Sequence, residues 1–203
     1  MTAGATIAGL ESAPTRHAKL IDWVRRIAEL TKPDNVKNFK TTWTLQASFG
    51  EAAAFIKDWP NAIKGLEAAV ADSKVLDSKG MIDMSALQKD RRLQSIIAYY
   101  FDLGKCYEEG GAQDKANYQK AMDVFTNVLN ATVELKKLWW QCKFEVYRCL
   151  DKRGEANDYK ELGVAMRSLE RKYPDFKEAA ACGMQDKLQK LKRDLESSGK
   201  IPK

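Results

Sequence analysis

The segment DWPNAIKGLEAA, residues 58–69, sets an Asp and an aromatic residue ahead of apolar residues at steps of four and three. The same arrangement returns in NYQKAMDVFTNV, residues 117–128, and in DYKELGVAMRSL, residues 158–169. An Asp or Asn before such a stripe is typical of a capped helix that buries one face. Three copies predict a stack of similar helix pairs, an architecture that usually binds other macromolecules.

The composition is that of a globular protein. The chain has 203 residues, of which 44% are hydrophobic and 31% charged, with 12 Gly and 5 Pro. No apolar run approaches the roughly 20 residues that a membrane span requires. The N-terminus lacks the basic and apolar regions of a secretory signal. We therefore expect no membrane association and a cytoplasmic location.

A net charge of +6 leaves nucleic acid open as a partner. The densest basic group comprises Lys187, Lys190, Lys192 and Arg193. Because Asp186, Asp194 and Glu196 lie among these cations, a solvated helix face is the favoured interpretation and a nucleic-acid site is the alternative.

Catalytic and metal-binding patterns are missing from the sequence. The single histidine, His17, is far from the four cysteines, and no CxxC pair exists. Zinc sites need paired ligands at short spacing, so we expect buried, reduced thiols. Cys142 and Cys149 are seven residues apart, which is two turns on one helix face. We expect no enzyme activity, no cofactor and no metal; the other two thiols are Cys106 and Cys182.

The predicted helix pairs have the residue order of a known repeat family. The first helices carry Phe49-Gly50 and Ala53, then Tyr100, Leu103-Gly104 and Tyr107, then Trp140, Phe144 and Tyr147. The second helices carry Ala62, Leu66 and Ala69, then Ala121, Phe125 and Val128, then Leu162, Met166 and Leu169 before Pro174. In this order the chain resembles the tetratricopeptide family over residues 41–176. The resemblance implies an all-α array of about three antiparallel helix pairs, although Ala53 and Lys143 depart from the family pattern.

The intervals between paired helices are longer than the family pattern in two units. About five extra residues follow Tyr107 and about six follow Tyr147, so both intervals predict lengthened loops. The first loop is expected at residues 108–113. Its paired carboxylates, Glu108 and Glu109, are interpreted as part of a solvated turn.

Two packing expectations follow from the repeat register. Gly50 and Gly104 should lie against Ala62 and Ala121, because paired helices approach closely only where side chains are small. Trp139 precedes a core position, so its own ring should point elsewhere. It is expected against the preceding unit, with a partner-facing position as the alternative.

The chain divides by pattern into four segments. Residues 1–14 are expected to be a flexible tail, and residues 15–40 an N-terminal helix with a linker. Repeats fill residues 41–176, interrupted at 71–95, where Ser85-x-x-Gln88 has the form of a capping box and predicts an extra helix. Residues 177–203 form a terminal helix and tail. Its apolar stripe should cap the last repeat, with a coiled-coil dimer contact as the alternative; it comprises Met184, Leu188, Leu191 and Leu195.

A second likeness lies in residues 2–36. It rests on Ile7-Ala8-Gly9-Leu10, Ala13-Pro14-Thr15, His17, Leu20, Trp23-Val24, Ala28-Glu29-Leu30-Thr31 and Pro33-Asp34-x-Val36. These residues resemble the start of bacterial GTP-dependent phosphoenolpyruvate carboxykinases. That family's phosphate loop and manganese ligands have no counterpart in this sequence. The likeness leaves open a leader, a fusion junction or a coincidence, the last being a helix that covers the first repeat.

In the tetratricopeptide family, side chains of the first helices line a groove. The positions that the resemblance implies for partner binding are Ala47, Glu51, Phe55, Phe101, Lys105, Glu108, Gln141, Glu145 and Arg148. Phe55 and Phe101 would be apolar anchors, whereas Lys105 and Arg148 would bind acidic groups of a peptide. Ala47 and Glu51 replace the Lys and Asn of the family's clamp for C-terminal carboxylates.

These patterns predict a non-catalytic adaptor or scaffold that binds a protein or peptide, including an acidic one, in a preformed groove. The alternatives are a self-assembling structural repeat protein and an accessory or fusion fragment related to the carboxykinases. Nucleic-acid binding ranks below these three.

Overall fold

A computed structural model describes residues 43–134 and 136–202, together with Asp22, Arg26, Glu29 and Leu30. Its α-helices are α1 (Trp43–Phe55), α2 (Trp59–Ser73), α3 (Met84–Lys89), α4 (Ile96–Gly110), α5 (Ala116–Asn130), α6 (Lys137–Arg153), α7 (Ala156–Lys172) and α8 (Gln185–Ser197). Two 3₁₀ segments, Arg91–Ser95 and Pro174–Cys182, complete the regular structure of these ranges. The described residues form no strand beyond an isolated bridge between Leu76 and Ile82. The predicted all-α class is confirmed.

The chain separates into two compact units, Met1–Val75 and Leu76–Lys203. Of the N-terminal segment, the four described residues are helical, and Arg26 pairs with Asp22 at 3.2 Å. The expected tail, most of the helix and linker at 15–40, and most of the carboxykinase-like stretch lie outside the described residues.

In the first unit, α1 and α2 pack as an antiparallel pair with an apolar interface. Asp58 is the N-cap of α2, as predicted, and its carboxylate accepts a hydrogen bond from the backbone N of Asn61. A Cβ atom on Gly50 would lie 2.6 Å from Leu66 Cγ and 3.1 Å from the Ala62 carbonyl oxygen. The expected close approach at this glycine is therefore confirmed.

In the second unit, α4, α5, α6 and α7 pack in sequence, each against the next. A Cβ atom on Gly104 would lie 2.7 Å from the ring of Phe125. The small residue therefore makes room for an aromatic ring of α5 rather than for Ala121, as had been expected.

The other two pattern copies begin differently from the first. Asn117 is the second residue of α5 and makes no cap hydrogen bond. Asp158 lies in the first turn of α7, where its carboxylate accepts from the backbone N of Glu155 at 3.0 Å and binds the guanidinium of Arg153. The Asp or Asn position is thus an N-cap only at Asp58.

The extra residues between the paired helices fall partly in the helices. Helix α4 continues through Gly110, and the connection to α5 is residues 111–115. Helices α6 and α7 are 17 residues each, and only Gly154 and Glu155 separate them. The prediction of a long loop there is wrong. Gly154 adopts a φ of 69°, which ends α6 in the left-handed conformation that glycine tolerates.

The interruption between α2 and α4 contains the predicted extra helix, α3. Its cap is Asp83 rather than Ser85, because the Asp83 carboxylate accepts from the backbone N atoms of Ser85 and Ala86. Buried Asn127 of α5 holds the segment in place. Its amide accepts from the Ile82 backbone N at 2.9 Å and donates to the Gly80 carbonyl at 2.6 Å.

The terminal helix is α8, which starts later than the sequence suggested because residues 174–182 form a 3₁₀ segment. Met184, Leu188 and Leu195 are buried as the stripe predicts, while Leu191 is half-buried. Lys192 of α8 binds both carboxylate oxygens of Glu170 on α7, at 2.8 and 2.6 Å. The buried apolar stripe and the contact between Lys192 and Glu170 together fix the rotation of α8 about its own axis.

Candidate functional site

A cluster of five charged side chains joins α4 to α6. Its centre is Glu108, whose side chain is fully buried. The Glu108 carboxylate lies 2.7 Å from Lys105 Nζ, 2.9 Å from an Arg148 guanidinium nitrogen and 3.1 Å from Lys152 Nζ. We call these three cations, Glu108 and Glu145 the buried charge cluster.

The second carboxylate of the cluster, Glu145, is also buried. It lies 3.1 Å from Lys105 Nζ and 3.0 Å from Arg148. Lys105 and Arg148 therefore each bridge both carboxylates. Because Lys105 belongs to α4 and Arg148 to α6, the cluster links two helices that are not consecutive in the chain.

The two oxygens of Glu108 are bound differently. Oε2 accepts a hydrogen bond from Lys105. Oε1 lies within ion-pair distance of Arg148 and Lys152, but neither contact has the geometry of a hydrogen bond. We regard the contacts at Oε1 as Coulombic, since charge attraction depends on distance far more than on angle.

Charge interactions set the protonation of the cluster. Burial by itself would raise the pKa of Glu108, but the hydrogen bond from Lys105 and the charges of Lys105, Arg148 and Lys152 hold that pKa below its ordinary value. Burial raises the pKa of Glu145, and the nearby charge of Glu108 adds to this effect. The pKa of Lys105 is raised, because its two carboxylate partners outweigh its own burial. Glu108 is accordingly the ionised centre of the cluster.

Four of the predicted groove residues meet in this cluster: Lys105, Glu108, Glu145 and Arg148. The interpretation of Glu108 as part of a solvated turn is wrong, because three cations compensate its charge inside the protein. Lys105 and Arg148 bind internal carboxylates, so little of their charge is left for a partner. Their predicted role in partner binding stays a prediction.

The remaining groove positions lie in varied surroundings. Phe101 is half-buried, with its ring centroid 5.2 Å from that of Phe125, and Gln141 is half-buried on α6. In the first unit, Phe55 has 52% of its surface exposed, and Glu51 is exposed. Ala47 is fully buried and so lines no open surface.

Trp139 does not take the partner-facing position, and its expected contact with the preceding unit stays a prediction. It is buried, and its ring meets those of Trp140 and Tyr173 edge-on, at centroid distances of 4.9 and 6.1 Å. Tyr173 follows directly on α7, so Trp139 packs within its own helix pair.

A cleft of about 270 Å³ opens between α6 and α8, next to the buried charge cluster. Its lining, which we call the α6–α8 cleft, comprises Phe144, Arg148, Asp151, Lys152, Lys187, Lys190, Leu191 and Asp194. The α8 residues of this set follow the helical spacing of one face. Phe144 and Leu191 supply its large apolar side chains.

The cations of this cleft fall into two groups. Arg148 and Lys152 bind the buried carboxylate of Glu108. Lys187 and Lys190 are exposed, and no carboxylate of the described residues lies within ion-pair distance of either. Lys187 Nζ instead lies 6.0 Å from the centroid of the Phe144 ring, and the Arg148 guanidinium carbon lies 5.7 Å from it.

The two carboxylates of the cleft also differ. Asp151 accepts from Lys200 Nζ at 2.6 Å, so its charge is compensated. Asp194 is exposed. The uncompensated charge at the rim of the cleft is thus positive at two positions and negative at one.

The cysteines lie apart from this chemistry. All four are free, and Cys106, Cys142 and Cys149 are buried as predicted, whereas Cys182 is only half-buried, contrary to the prediction. Burial raises the pKa of each of these three thiols to about 12. Thiolate is the nucleophilic form, so they are poor nucleophiles at neutral pH. Within the described ranges, no group of three or more His, Cys, Asp or Glu is placed to hold a metal ion.

No protein-family model matches the chain, and no solved structure matches it. What the geometry shows is a set of packed helix pairs compatible with a helical repeat. None of the helices in the described ranges is long and apolar enough to cross a membrane.

The repeat register named four residues of the buried charge cluster as groove positions, but it did not indicate that they pair with one another. No sequence pattern was interpreted as the α6–α8 cleft. Lys187 and Lys190 were interpreted as part of a solvated face because acids surround them in sequence. The signal was present in their spacing. They stand three apart on the side of α8 that carries Leu191, whereas Lys192 points to Glu170.

Proposed function

We propose that the protein is a helical-repeat module of the tetratricopeptide kind that binds a protein or peptide partner without catalysis. The observation that carries this proposal is the α6–α8 cleft, where half-buried Phe144 and Leu191 lie beside exposed Lys187 and Lys190, which form no ion pair with any described residue. Binding surfaces combine apolar anchors with charged residues at the rim in this way.

The packing of the helices supports the family resemblance. Gly50 of α1 lies against α2 at the position where the family has its small residue, and Gly104 of α4 has the same place against α5. From α4 to α7, each helix packs on the one before it, as in a repeat array.

The cysteine chemistry supports a role without catalysis. The three buried thiols are strongly disfavoured as thiolates. The charged side chains that do converge, those of the buried charge cluster, satisfy one another rather than facing an open reaction site. The carboxykinase-like stretch at residues 2–36 has no part in this proposal, and a cytoplasmic location stays a prediction.

A peptide-display selection against the immobilised full chain tests the proposed function. We expect enriched peptides that bind saturably in solution, measured by isothermal titration calorimetry. Hydrogen–deuterium exchange of the complex should show protection in α6 and α8. If several libraries give no saturable binder, the proposal is wrong.

A sedimentation experiment separates this function from self-assembly. Analytical ultracentrifugation over a wide concentration range should give one constant mass for the chain alone. A mass that rises with concentration, together with an absence of peptide binders, would favour the structural repeat protein.

A further inference from the structure

We infer that the α6–α8 cleft binds an acidic peptide segment carrying an aromatic or branched apolar side chain, whose carboxylates are bound by Lys187 and Lys190. This inference rests on the proposed function and specifies its ligand. It differs from the sequence-based expectation, which assigned the acidic groups of a peptide to Lys105 and Arg148.

Two of the four cations that line the cleft already bind a buried carboxylate. Arg148 and Lys152 line the cleft, but each already contacts the buried carboxylate of Glu108, at 2.9 and 3.1 Å. Moving either toward a ligand would leave that carboxylate less compensated inside the protein, which is costly. The cations that can receive an anion at no such cost are Lys187 and Lys190.

The spacing of the two exposed lysines, Lys187 and Lys190, allows both to contact one ligand. They lie three residues apart on α8 and therefore project from one side of the helix. Lys192, on a different side, holds Glu170 at 2.6 Å and fixes the rotation of α8 about its axis. Two ammonium groups are thus presented together at the rim, where they complement two neighbouring carboxylates.

The apolar part of the cleft has room for one large side chain. Phe144 and Leu191 lie beside the lysines, and the cleft volume is about 270 Å³. That is just below the range of about 300–1,000 Å³ found for sites that enclose a drug-sized ligand. The space therefore suits one large side chain of a peptide, with flanking residues at the rim.

The same lining disfavours nucleic acid as the occupant. A phosphate backbone requires an uninterrupted basic track, whereas Asp194 stands in this lining beside the lysines. Bases of single strands stack on open aromatic faces. A single strand stacks successive bases on several aromatic side chains, whereas Phe144 is the only aromatic residue among the described residues that line the cleft.

Fluorescence anisotropy with the full chain tests the inference. The probe is a short fluorescein-labelled peptide in which one phenylalanine is flanked on both sides by glutamates. One comparison peptide replaces the glutamates by glutamines, and another replaces the phenylalanine by glycine. A labelled single-stranded oligonucleotide serves as the nucleic-acid arm. We expect the full probe to bind most tightly. Each comparison peptide should bind more weakly by about tenfold or more.

The deciding variant is K187E/K190E. Because both side chains are exposed and unpaired among the described residues, their reversal should leave the thermal unfolding curve unchanged and weaken the probe by about tenfold or more. The matched control is K160E/R167E, which makes the same change in net charge on the exposed face of α7. It should bind the probe within about twofold of the parent chain.

The outcomes separate this inference from the proposed function. Equal binding of the probe by the parent chain and K187E/K190E would overturn the assignment of the site while leaving peptide binding intact. If display yields only peptides without acidic residues, the ligand class is wrong but the function stands. Tighter binding of the oligonucleotide than of any peptide would overturn both. A variant with a changed unfolding curve is replaced by K187Q/K190Q, for which the same loss of binding is expected.

Discussion

The α1–α2 pair of the first unit and the α4–α6 contact of the second are held by opposite means. Helices α1 and α2 meet through buried apolar atoms, and Gly50 and Gly65 let the backbones come close. Helices α4 and α6 are joined by buried charges centred on Glu108. An apolar contact depends on shape, whereas a buried ionic contact also depends on every partner being present. Similar sequence patterns therefore produce contacts with different sensitivities to substitution and pH.

The largest expected effect is the loss of the central carboxylate. Glu108→Gln removes the carboxylate that Lys105, Arg148 and Lys152 share. Lys105 and Arg148 then keep Glu145, and Lys152 keeps only its longer contact with Glu109. We expect destabilisation of roughly 2–4 kcal/mol, below the upper end for fully buried pairs because these cations are about one-third exposed. Urea unfolding followed by circular dichroism measures the change.

The matched control for that variant is Glu109→Gln. Glu109 is the next residue, is 44% exposed, and has one distant contact to Lys152 at 3.6 Å. It should change stability by about 0.5 kcal/mol or less. Equal effects at the two positions would mean that the buried charge cluster does not stabilise the second unit.

A pH series sharpens the comparison. Because the pKa of Glu108 is lowered in the folded protein, its stabilising contribution is present above its ordinary value of 4.5 and is lost as pH falls through the folded-state pKa. The stability difference between the parent chain and Glu108→Gln should therefore be constant near neutral pH and shrink in acid below pH 4.5.

Glu145 titrates in the opposite sense, because its folded-state pKa is raised. The charge of Glu108 contributes to that raised pKa, so Glu108→Gln also alters the titration of Glu145, and the difference between the two proteins reports on the coupled pair. Urea midpoints measured from neutral to acidic pH provide the test. A difference that stays constant into strong acid would show that Glu108 is not the ionised centre of the cluster.

Filling the α1–α2 contact should have a smaller effect that does not depend on pH. In Gly50→Ala the new Cβ atom would lie 2.6 Å from Leu66 Cγ and 2.9 Å from the Leu66 backbone N. Overpacking of roughly 1–3 kcal/mol, offset by about 1 kcal/mol of helix propensity, gives a net loss of about 0–2 kcal/mol.

Hydrogen exchange resolved by mass spectrometry should place the Gly50→Ala effect in α1 and α2. Ser48→Ala, at an exposed position of the same helix, is the control and should be nearly neutral. A stabilised Gly50→Ala protein would show that the two helices separate easily, contrary to the close packing described.

The smallest expected effect concerns helix capping. Asp58→Ala removes the side-chain cap of α2 and should cost about 1 kcal/mol. Asn117→Ala, at the equivalent position of the second copy, should cost about 0.5 kcal/mol or less, because it removes only a long hydrogen bond of 3.5 Å to the Gly110 carbonyl and no helix cap. Thermal unfolding curves of the two variants measure the difference. Equal losses would restore the interpretation of both residues as caps.

The sequence predicted the helices well because the apolar spacing reports directly on a buried face. It predicted their ends less well. The interval from Tyr147 to Leu162 was interpreted as a loop, but residue counts do not distinguish a longer loop from longer helices. Similarly, Asp158 has the sequence context of a cap, yet its carboxylate binds Arg153, five residues earlier.

The candidate site was harder to predict for a physical reason. Glu108 precedes Glu109 and a pair of glycines, a context typical of an exposed turn. Its burial becomes tolerable only because Arg148 and Lys152, some 40 positions further along, lie against it. The spacing of Lys187 and Lys190 places them on the side of α8 that carries Leu191, but only the packing of α8 against α6 shows that this side lines a cleft.

The buried charge cluster also limits how this group of helices can be rearranged. Helical repeats are often treated as interchangeable parts, to be duplicated, deleted or exchanged between scaffolds. Here α4 supplies one buried carboxylate and a bridging lysine, while α6 supplies the second carboxylate and two cations. If α6 and α7 were transferred onto another helix pair, Arg148 and Lys152 would lose their carboxylate partner, Glu108. For engineering, the smallest transferable piece of this region is therefore the complete stretch from α4 through α7.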